Sequence, residues 1–308
     1  MKKLRVVFMG SPDFAIPSLE AIHKSEHEIV AVASNPDKRR GRGGKPQPTV
    51  VKKKAMALGY PTIDVEDPKS DEFKEKLEKL EPDLQVVVAF RILPKDILAI
   101  PSIGSINLHA SLLPKYRGAA PIHWAIIKGE DETGCSVFFL DEKVDTGEIV
   151  AQFKTEIGPM ETTGDLYDRL KVKGAELLKE TVDQIAKGTT EGRAQNHEEA
   201  TPAPKLFNEN TRIDFNQSAD DVHNLIRGLN PFPTAWCMYG DQKLNVHKSK
   251  PGPKTSNAEP GQLVGIENKL YVQCSDGLLE LLELQLPGTK RLSGVDFLNG
   301  YDTSIILK

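Results

Sequence analysis

Short apolar runs alternate with amphipathic stretches over the first 110 positions of the chain. Four runs rich in apolar and β-branched residues predict strands at residues 4–9, 28–33, 84–90 and 103–109. Residues 84–89 are almost wholly apolar, as a strand covered on both faces requires, and residues 70–80 place apolar side chains on one side of a helix. This alternation predicts an α/β fold with an open, mostly parallel, Rossmann-like sheet.

The second half of the chain has a different pattern. A helical periodicity begins at residue 162, ends near residue 187 and is followed by an aperiodic stretch. Beyond it, short alternating runs between Gly, Asn, Asp and Pro turns predict strands at residues 234–238, 243–246, 262–266, 269–272 and 278–286. We therefore expect an α/β domain at residues 1–188, a linker at 189–205 and a small OB-like β-barrel at 206–308.

Length and composition narrow the class of protein. A chain of 308 residues is too long for one small domain, and a net charge of -4 excludes a uniformly basic surface. The three cysteines lack C-x-x-C spacing, so neither a disulfide framework nor a metal site is expected. The apolar run at residues 4–9 is too short for a signal peptide or a membrane span, which favours a cytoplasmic protein without membrane contact.

The loop after the first predicted strand argues against a nicotinamide cofactor. It reads Gly10-Ser11-Pro12-Asp13 and lacks the G-x-G-x-x-G spacing that lets a pyrophosphate reach a helix N-terminus. The later Gly41-Arg42-Gly43-Gly44 lies inside a long charged loop rather than at a tight turn between strand and helix. The chain is therefore not expected to bind NAD.

The candidate catalytic side chains follow the strand predicted at residues 103–109. Asn107 and His109 point to the same side because strand side chains alternate, and the carboxyl ends of strands are where open α/β sheets bind ligands. Asp145 lies on the loop between predicted strands at 135–140 and 148–153, where a carboxylate can orient a histidine for acid–base chemistry. Taken singly, His109 is also typical of a structural histidine and Asp145 of a turn. Together they indicate formyl or acyl transfer without a covalent nucleophile.

A basic loop is the main charge feature. Residues 35–54 hold eight Lys and Arg residues and one acid, Asp37. Such a run is often only a solvated segment, but it also suits a polyphosphate backbone, whose binding would weaken steeply with salt.

Several motifs resemble the folate-dependent formyltransferases. They are Asn-Leu-His at 107–109, Ser-Leu-Leu-Pro at 111–114 and Val-Asp-Thr-Gly at 144–147. Further motifs extend the resemblance along the whole chain to the branch of that family that formylates initiator methionyl-tRNA, at residues 8–15, 115–121, 282–288 and 296–300. The resemblance implies a formyltransferase domain followed by a tRNA-binding C-terminal domain.

The resemblance also implies a reaction and roles for the three polar residues. The formyl group of 10-formyltetrahydrofolate would pass to the amino group of the methionine on initiator tRNA. Asn107 would donate a hydrogen bond to the formyl oxygen, and His109 would assist the tetrahedral species, with Asp145 setting its charge state. No metal is implied, and a monomer is expected.

The same resemblance assigns binding residues. The folate would lie against Ser111, Leu112, Leu113 and Pro114 and against Phe90, Arg91 and Leu93. This second loop is one residue shorter than in most tRNA-directed members and is more similar to the purine-pathway relatives. The tRNA phosphates would meet Lys38, Arg39, Arg40, Arg42 and Lys45.

Two other functions remain open at this point. A formyltransferase acting on a phosphoribosyl glycinamide or an amino-sugar nucleotide would carry the same Asn, His and Asp, although the basic loop and the C-terminal hundred residues argue against it. A folate-binding or RNA-binding module without catalysis is the second. The presence of Asn107, His109 and Asp145 together argues against that alternative.

Overall fold

The computed structural model describes residues 2–39, 44–254 and 258–308. The chain forms two compact units, and the first holds Met1–Gly118, Gly134–Thr155 and Tyr167–Pro202. The second holds Ala119–Thr133, Glu156–Leu166 and Ala203–Lys308. Two short segments that precede residue 203 in the sequence, 119–133 and 156–166, therefore belong to the second unit, and the chain passes between the units five times. The boundaries at residues 188 and 206 stay a prediction.

The first unit is built on a sheet of seven strands. The strands up to residue 203, short ones included, are β1 (Arg5–Gly10), β2 (Glu28–Ser34), β3 (Lys38–Arg39), β4 (Pro46–Gln47), β5 (Thr62–Asp64), β6 (Leu84–Val88), β7 (Gly104–His109), β8 (Arg117–Gly118), β9 (Glu132–Phe139), β10 (Ile149–Glu156) and β11 (Pro202–Ala203). The sheet order is β10-β9-β7-β6-β1-β2-β5. The pairs from β5 to β7 are parallel and β7 pairs with β9 antiparallel, which confirms the predicted open, mostly parallel sheet.

Eight α-helices lie in the described residues. They are α1 (Ile16–His23), α2 (Val50–Ala57), α3 (Asp71–Glu78), α4 (Lys95–Leu98), α5 (Pro121–Ile127), α6 (Thr163–Lys187), α7 (Ala219–Gly228) and α8 (Gly294–Gly300). Helix α2 begins inside the predicted basic loop, because the Thr49 hydroxyl accepts a hydrogen bond from the backbone N–H of Lys52 and caps the helix. No helix in the residues that the structure describes is long and apolar enough to cross a membrane.

One face of the parallel sheet packs on α3. Phe73 and Leu77 of this helix lie against Val7, Met9 and Val87 of the two central strands, and all five are at most 3% exposed. The apolar side chains of α3 and Val87 of β6, a strand that is apolar except for Gln85, therefore pack into one core. This core fixes the central strands, whose carboxyl ends carry the loops described below.

The second unit contains an antiparallel sheet. Its strands are β12 (Ala235–Tyr239), β13 (Gln242–Pro251), β14 (Leu263–Ile266), β15 (Lys269–Gln273), β16 (Leu278–Gln285) and β17 (Leu292–Ser293). They are ordered β12-β13-β16-β15-β14, with β17 also paired to β16. The small C-terminal β domain is thus confirmed. Helices α7 and α8, which the strand pattern did not predict, cover this sheet, and Phe297 of α8 is fully buried in its core.

A buried arginine ties α7 to a preceding loop of the second unit. Arg227 is 7% exposed, and its Nη1 donates to the carbonyl oxygens of Gly158 and Glu161, each at 3.1 Å. Its Nε donates to Asn224 Oδ1 at 2.8 Å. These contacts satisfy the buried charge with protein oxygens, and they give the two carbonyls a charged donor.

Arg227→Met should therefore lower the free energy of unfolding by about 2 kcal/mol, since the Gly158 and Glu161 carbonyls lose their charged donor. Urea unfolding of the whole chain measures the change. The matched control is Arg291→Met, because Arg291 is half exposed and pairs with Glu283 at the surface. A surface pair contributes less than about 1 kcal/mol. Equal destabilisation by the two variants would contradict the role of the buried contacts.

The three cysteines are free and buried. Burial raises the pKa of the Cys135 thiol strongly and that of Cys237 to about 12. A thiol held neutral in this way is a poor nucleophile. Cys135 is therefore a buried small residue of β9 rather than a candidate nucleophile.

Candidate active site

Strand β7 presents Asn107 and His109 on one face. Ile106 and Leu108, on the other face, are at most 3% exposed and anchor the strand in the core. The side chain of Asn107 is half-buried and forms no hydrogen bond with any residue that the structure describes. Its amide donor therefore remains available to a ligand at the carboxyl end of the strand.

The imidazole of His109 is fixed by its neighbours. Its Nε2 lies 2.8 Å from the carbonyl oxygen of Tyr116, and because a carbonyl can only accept, Nε2 must carry a proton. The other nitrogen, Nδ1, faces Asp145 Oδ2 at 3.8 Å. The ring is only 7% exposed. Nδ1 is consequently the ring nitrogen that faces the carboxylate, and an N–H there would be directed at Asp145.

Asp145 is held in an unusual backbone conformation. Its φ angle is +56°, in the left-handed region that residues other than glycine seldom adopt. Its Oδ2 accepts a hydrogen bond from the backbone N–H of Gly118 at 2.8 Å. The carboxylate thus lies between a backbone donor and the His109 ring.

Gly147 completes the turn that carries Asp145. A Cβ atom at this position would overlap the carbonyl oxygen of Phe139 on β9. The Thr146 hydroxyl lies 2.7 and 2.8 Å from the two carboxylate oxygens of Asp141 and donates a hydrogen bond to them, which links the two ends of the loop. The Val-Asp-Thr-Gly motif is therefore explained by packing as well as by chemistry.

Two further residues support this loop and were not predicted as site residues. Gln195 Nε2 donates to the carbonyl oxygens of Asp145 at 3.0 Å and of Gly147 at 2.8 Å. Gln195 Oε1 accepts from Arg117 Nη2 at 2.6 Å. Gln195 lies in the stretch predicted to be a linker, where an isolated glutamine gives no periodic signal. Only the folded chain brings it to Asp145.

The predicted folate loop from Ser111 to Pro114 is anchored to the protein. The Ser111 hydroxyl is fully buried and donates to the carbonyl oxygen of Lys115 at 2.7 Å. Ser136 of β9 donates to the Ser111 carbonyl oxygen and accepts from the Leu113 N–H. The Ser111 and Leu113 side chains therefore build the loop, while those of Leu112 and Pro114 are half-buried. Contact of this loop with a folate stays a prediction.

The second predicted folate loop follows β6. Arg91 Nη1 donates to the carbonyl oxygen of Glu66 at 2.7 Å, and Leu93 is 7% exposed, so both side chains fix the loop. Phe90 packs partly against the core cluster of the sheet. Ile92, which the sequence did not single out, is 75% exposed. An ion pair between Lys95 and Glu142 joins this region to the loop that follows β9.

The predicted phosphate contacts divide into exposed and neutralised residues. Lys38 and Arg39 on β3 and Lys45 before β4 are exposed and form no ion pair within the described residues. Arg40 and Arg42 lie outside the described residues. Lys52, by contrast, pairs with Asp37 at 2.6 Å and Asp64 at 2.8 Å.

Lys54 is likewise neutralised, by Glu20 of α1. Counting one acid against eight basic residues therefore overstated the charge of the loop, because Asp64 and Glu20 approach from elsewhere in the chain.

Comparisons with known proteins found matches that extend over nearly the whole chain. Residues 2–182 match the family described as formyl transferase, and residues 205–302 match its C-terminal domain. A protein of Chlorobium phaeovibrioides named methionyl-tRNA formyltransferase is 46% identical over 97% of this chain and 95% of its own length. One of the same name from Clostridioides difficile is 40% identical over 99% of this chain and 100% of its own.

Two solved structures with a similar fold are more distant in sequence. An N-formyltransferase of Helicobacter canadensis, in complex with folinic acid and dTDP-3-aminofucose, has a TM-score of 0.70 and 22% identity over 90% of this chain and 98% of its own. HypX of Aquifex aeolicus, in complex with tetrahydrofolic acid, has a TM-score of 0.65 and 16% identity over 97% of this chain and 48% of its own. At these identities the likeness concerns the fold alone.

Proposed function

This chain belongs to the formyl transferase family, and we propose that it transfers the formyl group of 10-formyltetrahydrofolate to the amino group of the methionine on an initiator tRNA. The observation that carries the chemistry is the amide of Asn107, which has no hydrogen-bond partner among the described residues and shares a strand with His109 of the His109–Asp145 pair. The acceptor is supported by the full-length relatives named methionyl-tRNA formyltransferase.

The arrangement suits an acyl transfer in which the substrate amine is the nucleophile. The amine nitrogen attacks the formyl carbon, and the formyl oxygen gains negative charge, which the Asn107 amide N–H stabilises by a hydrogen bond. The tetrahedral species then breaks its bond to the folate nitrogen, which leaves with a proton. We assign to His109 Nδ1, which lies 3.8 Å from Asp145 Oδ2, the transfer of protons between the amine and that leaving nitrogen.

The loops that follow β6 and β7 are the proposed folate site. A flat pterin ring needs apolar surface and a few fixed polar groups. Ile92, Leu112 and Pro114 offer partly exposed apolar surface, and the loops that carry them are fixed by the contacts of Arg91 and Ser136. We assign Phe90, Arg91 and Leu93, and also Ser111 and Leu113, to holding these loops in shape.

The tRNA contacts that we propose lie in both units. Lys38, Arg39 and Lys45 are exposed cations in the first unit. In the second unit, Lys243 Nζ lies 4.5 Å and the Arg212 guanidinium 5.5 Å from the centre of the Trp236 ring. Arg212 and Lys243 likewise have no ion pair with a described residue. Ordered cations of this kind in a chain of net charge -4 suit a phosphate backbone.

Removing two of these cations should weaken tRNA binding and its dependence on salt. For Lys38→Gln/Arg39→Gln, the slope of log Kd against log salt should fall by about two, since each phosphate contact contributes about one. Filter binding of initiator tRNA from 50 to about 300 mM salt measures it. The control with the same charge change is Lys76→Gln/Lys79→Gln, at the end of α3 and its C-cap, and equal slopes for the two double variants would contradict the assignment.

Single-turnover formyl transfer tests the proposed function itself. The enzyme is mixed with 10-formyltetrahydrofolate and one of four acceptors: charged initiator tRNA, a phosphoribosyl glycinamide, an amino-sugar nucleotide, or water. Transfer to methionyl-tRNA and to none of the others is the expected result. Transfer to a small amine, or release of formate without an amine acceptor, would overturn the tRNA assignment.

A further inference from the structure

Every hydrogen-bonding group of the Gln195 amide has a partner within the first unit. Both amide hydrogens are donated to backbone carbonyls, those of Asp145 and Gly147, and the amide oxygen accepts from Arg117 Nε and Nη2. Because carbonyls only accept and a guanidinium only donates, the orientation of the amide is unambiguous. Gln195 is 7% exposed, so water competes little for these bonds.

The segment that carries Gln195 is anchored on both sides. Before it, Arg193 and Ile149 exchange two backbone hydrogen bonds of 2.8 and 2.9 Å. After it, Thr201 accepts from the backbone N–H groups of Tyr116 and Arg117, each at 2.9 Å. The glutamine therefore projects from a fixed backbone rather than from a free linker.

Residues 116–118 connect the segment that carries Gln195 to both His109 and Asp145. The Tyr116 carbonyl binds His109 Nε2, the Gly118 N–H binds the Asp145 carboxylate, and Arg117 between them binds Gln195. A displacement of Gln195 would thus reach Asp145 directly through its backbone.

We propose that Gln195 is a positioning residue that holds Asp145 in its left-handed conformation and so keeps the carboxylate beside His109. A φ of +56° at an aspartate persists only where the surroundings enforce it, and the two bonds from Gln195 bracket that residue. The proposal rests on the proposed function for the role of Asp145. It gives Arg117 the task of orienting the Gln195 amide.

The effect should appear in turnover and should depend on the Asp145 carboxylate. Gln195→Ala should lower kcat about 10- to 100-fold, with KM for both substrates within about twofold, because a small displacement of a catalytic group is costly. In an Asp145→Asn background, the same change should lower kcat by less than about twofold, since there is no carboxylate left to position.

Gln152→Ala is the matched control. Gln152 is a glutamine of the same unit whose amide also donates twice, to the Leu113 carbonyl and to Ser136 Oγ, and accepts from Arg193. Its two donated bonds hold the loop from Ser111 to Pro114 rather than the turn that carries Asp145, so whatever loss it causes should be the same factor with and without Asp145→Asn. Thermal unfolding of each variant shows that the fold is retained. Arg117→Met, which leaves Gln195 in place, is the second variant and should show the same dependence on Asp145.

The decisive comparison is between the wild-type enzyme and the Asp145→Asn enzyme as backgrounds for each variant. If Gln195→Ala and Arg117→Met slow the Asp145→Asn enzyme by the same factor as the wild type, the positioning role is wrong. The series is run with whichever acceptor the wild type formylates. A wild type that does not formylate methionyl-tRNA contradicts the proposed function, whereas equal factors in an active series contradict only the role of Gln195.

Discussion

His109→Ala should lower kcat about a thousandfold and leave KM for both substrates within a few-fold. Acid–base groups of this kind contribute roughly 10²- to 10⁴-fold, and the ring is fixed by Tyr116 with Nδ1 directed at Asp145. Alanine removes the only imidazole that contacts Asp145 in the described part of the chain. Rapid-quench single turnovers with methionyl-tRNA and 10-formyltetrahydrofolate separate this loss from product release.

His23→Ala is the control for this measurement. His23 is exposed and bonds to the Tyr60 hydroxyl at 2.6 Å, so its removal should change kcat less than about twofold. A His109→Ala enzyme within threefold of the wild-type rate would contradict the catalytic role and return His109 to a structural one.

Asn107→Ala should lower kcat by about a hundredfold or more without lowering the stability of the fold. One well-aimed donor to a developing oxyanion contributes about 3 kcal/mol. The Asn107 amide has no hydrogen-bond partner among the described residues, so its removal breaks no hydrogen bond between those residues. Steady-state kinetics should therefore show the loss while the urea midpoint stays unchanged.

Asn107→Asp distinguishes donation from simple occupancy. Aspartate has nearly the same shape but, when ionised, presents only acceptors to the formyl oxygen. We expect it to be at least as slow as alanine. A rate near that of the wild type, or a raised KM with unchanged kcat, would show that the side chain binds substrate uniformly rather than stabilising the transition state.

Local pattern was sufficient for the parts of the fold governed by one strand or helix. The apolar runs placed the sheet, and the period of two placed Asn107 and His109 on one face of β7, because side-chain direction in a strand needs no tertiary information. The loop position of Asp145 followed from the two flanking strands, β9 and β10.

Contacts between distant segments could not be predicted in this way. Gln195 reaches Asp145 across 50 positions of sequence, and Lys54 meets Glu20 across 34. Neither Gln195 nor Lys54 belongs to a periodic pattern of apolar residues in the sequence, so nothing local distinguishes either one from a solvated side chain. Helix α2 was missed for a related reason, since its lysines suggested a charged loop although Thr49 caps a regular helix.

The division of the chain into units has a consequence for recombining relatives. A chimera joined at residue 203 would take its last 106 residues from one parent but keep 119–133 and 156–166, which belong to the same unit, from the other. Such a graft would place Arg227 of one parent against the 158–161 backbone of another. To exchange the second unit intact, a chimera must therefore take all three of its segments from the same parent. Two of these segments interrupt the sequence of the first unit, so the second unit cannot be exchanged by a single junction.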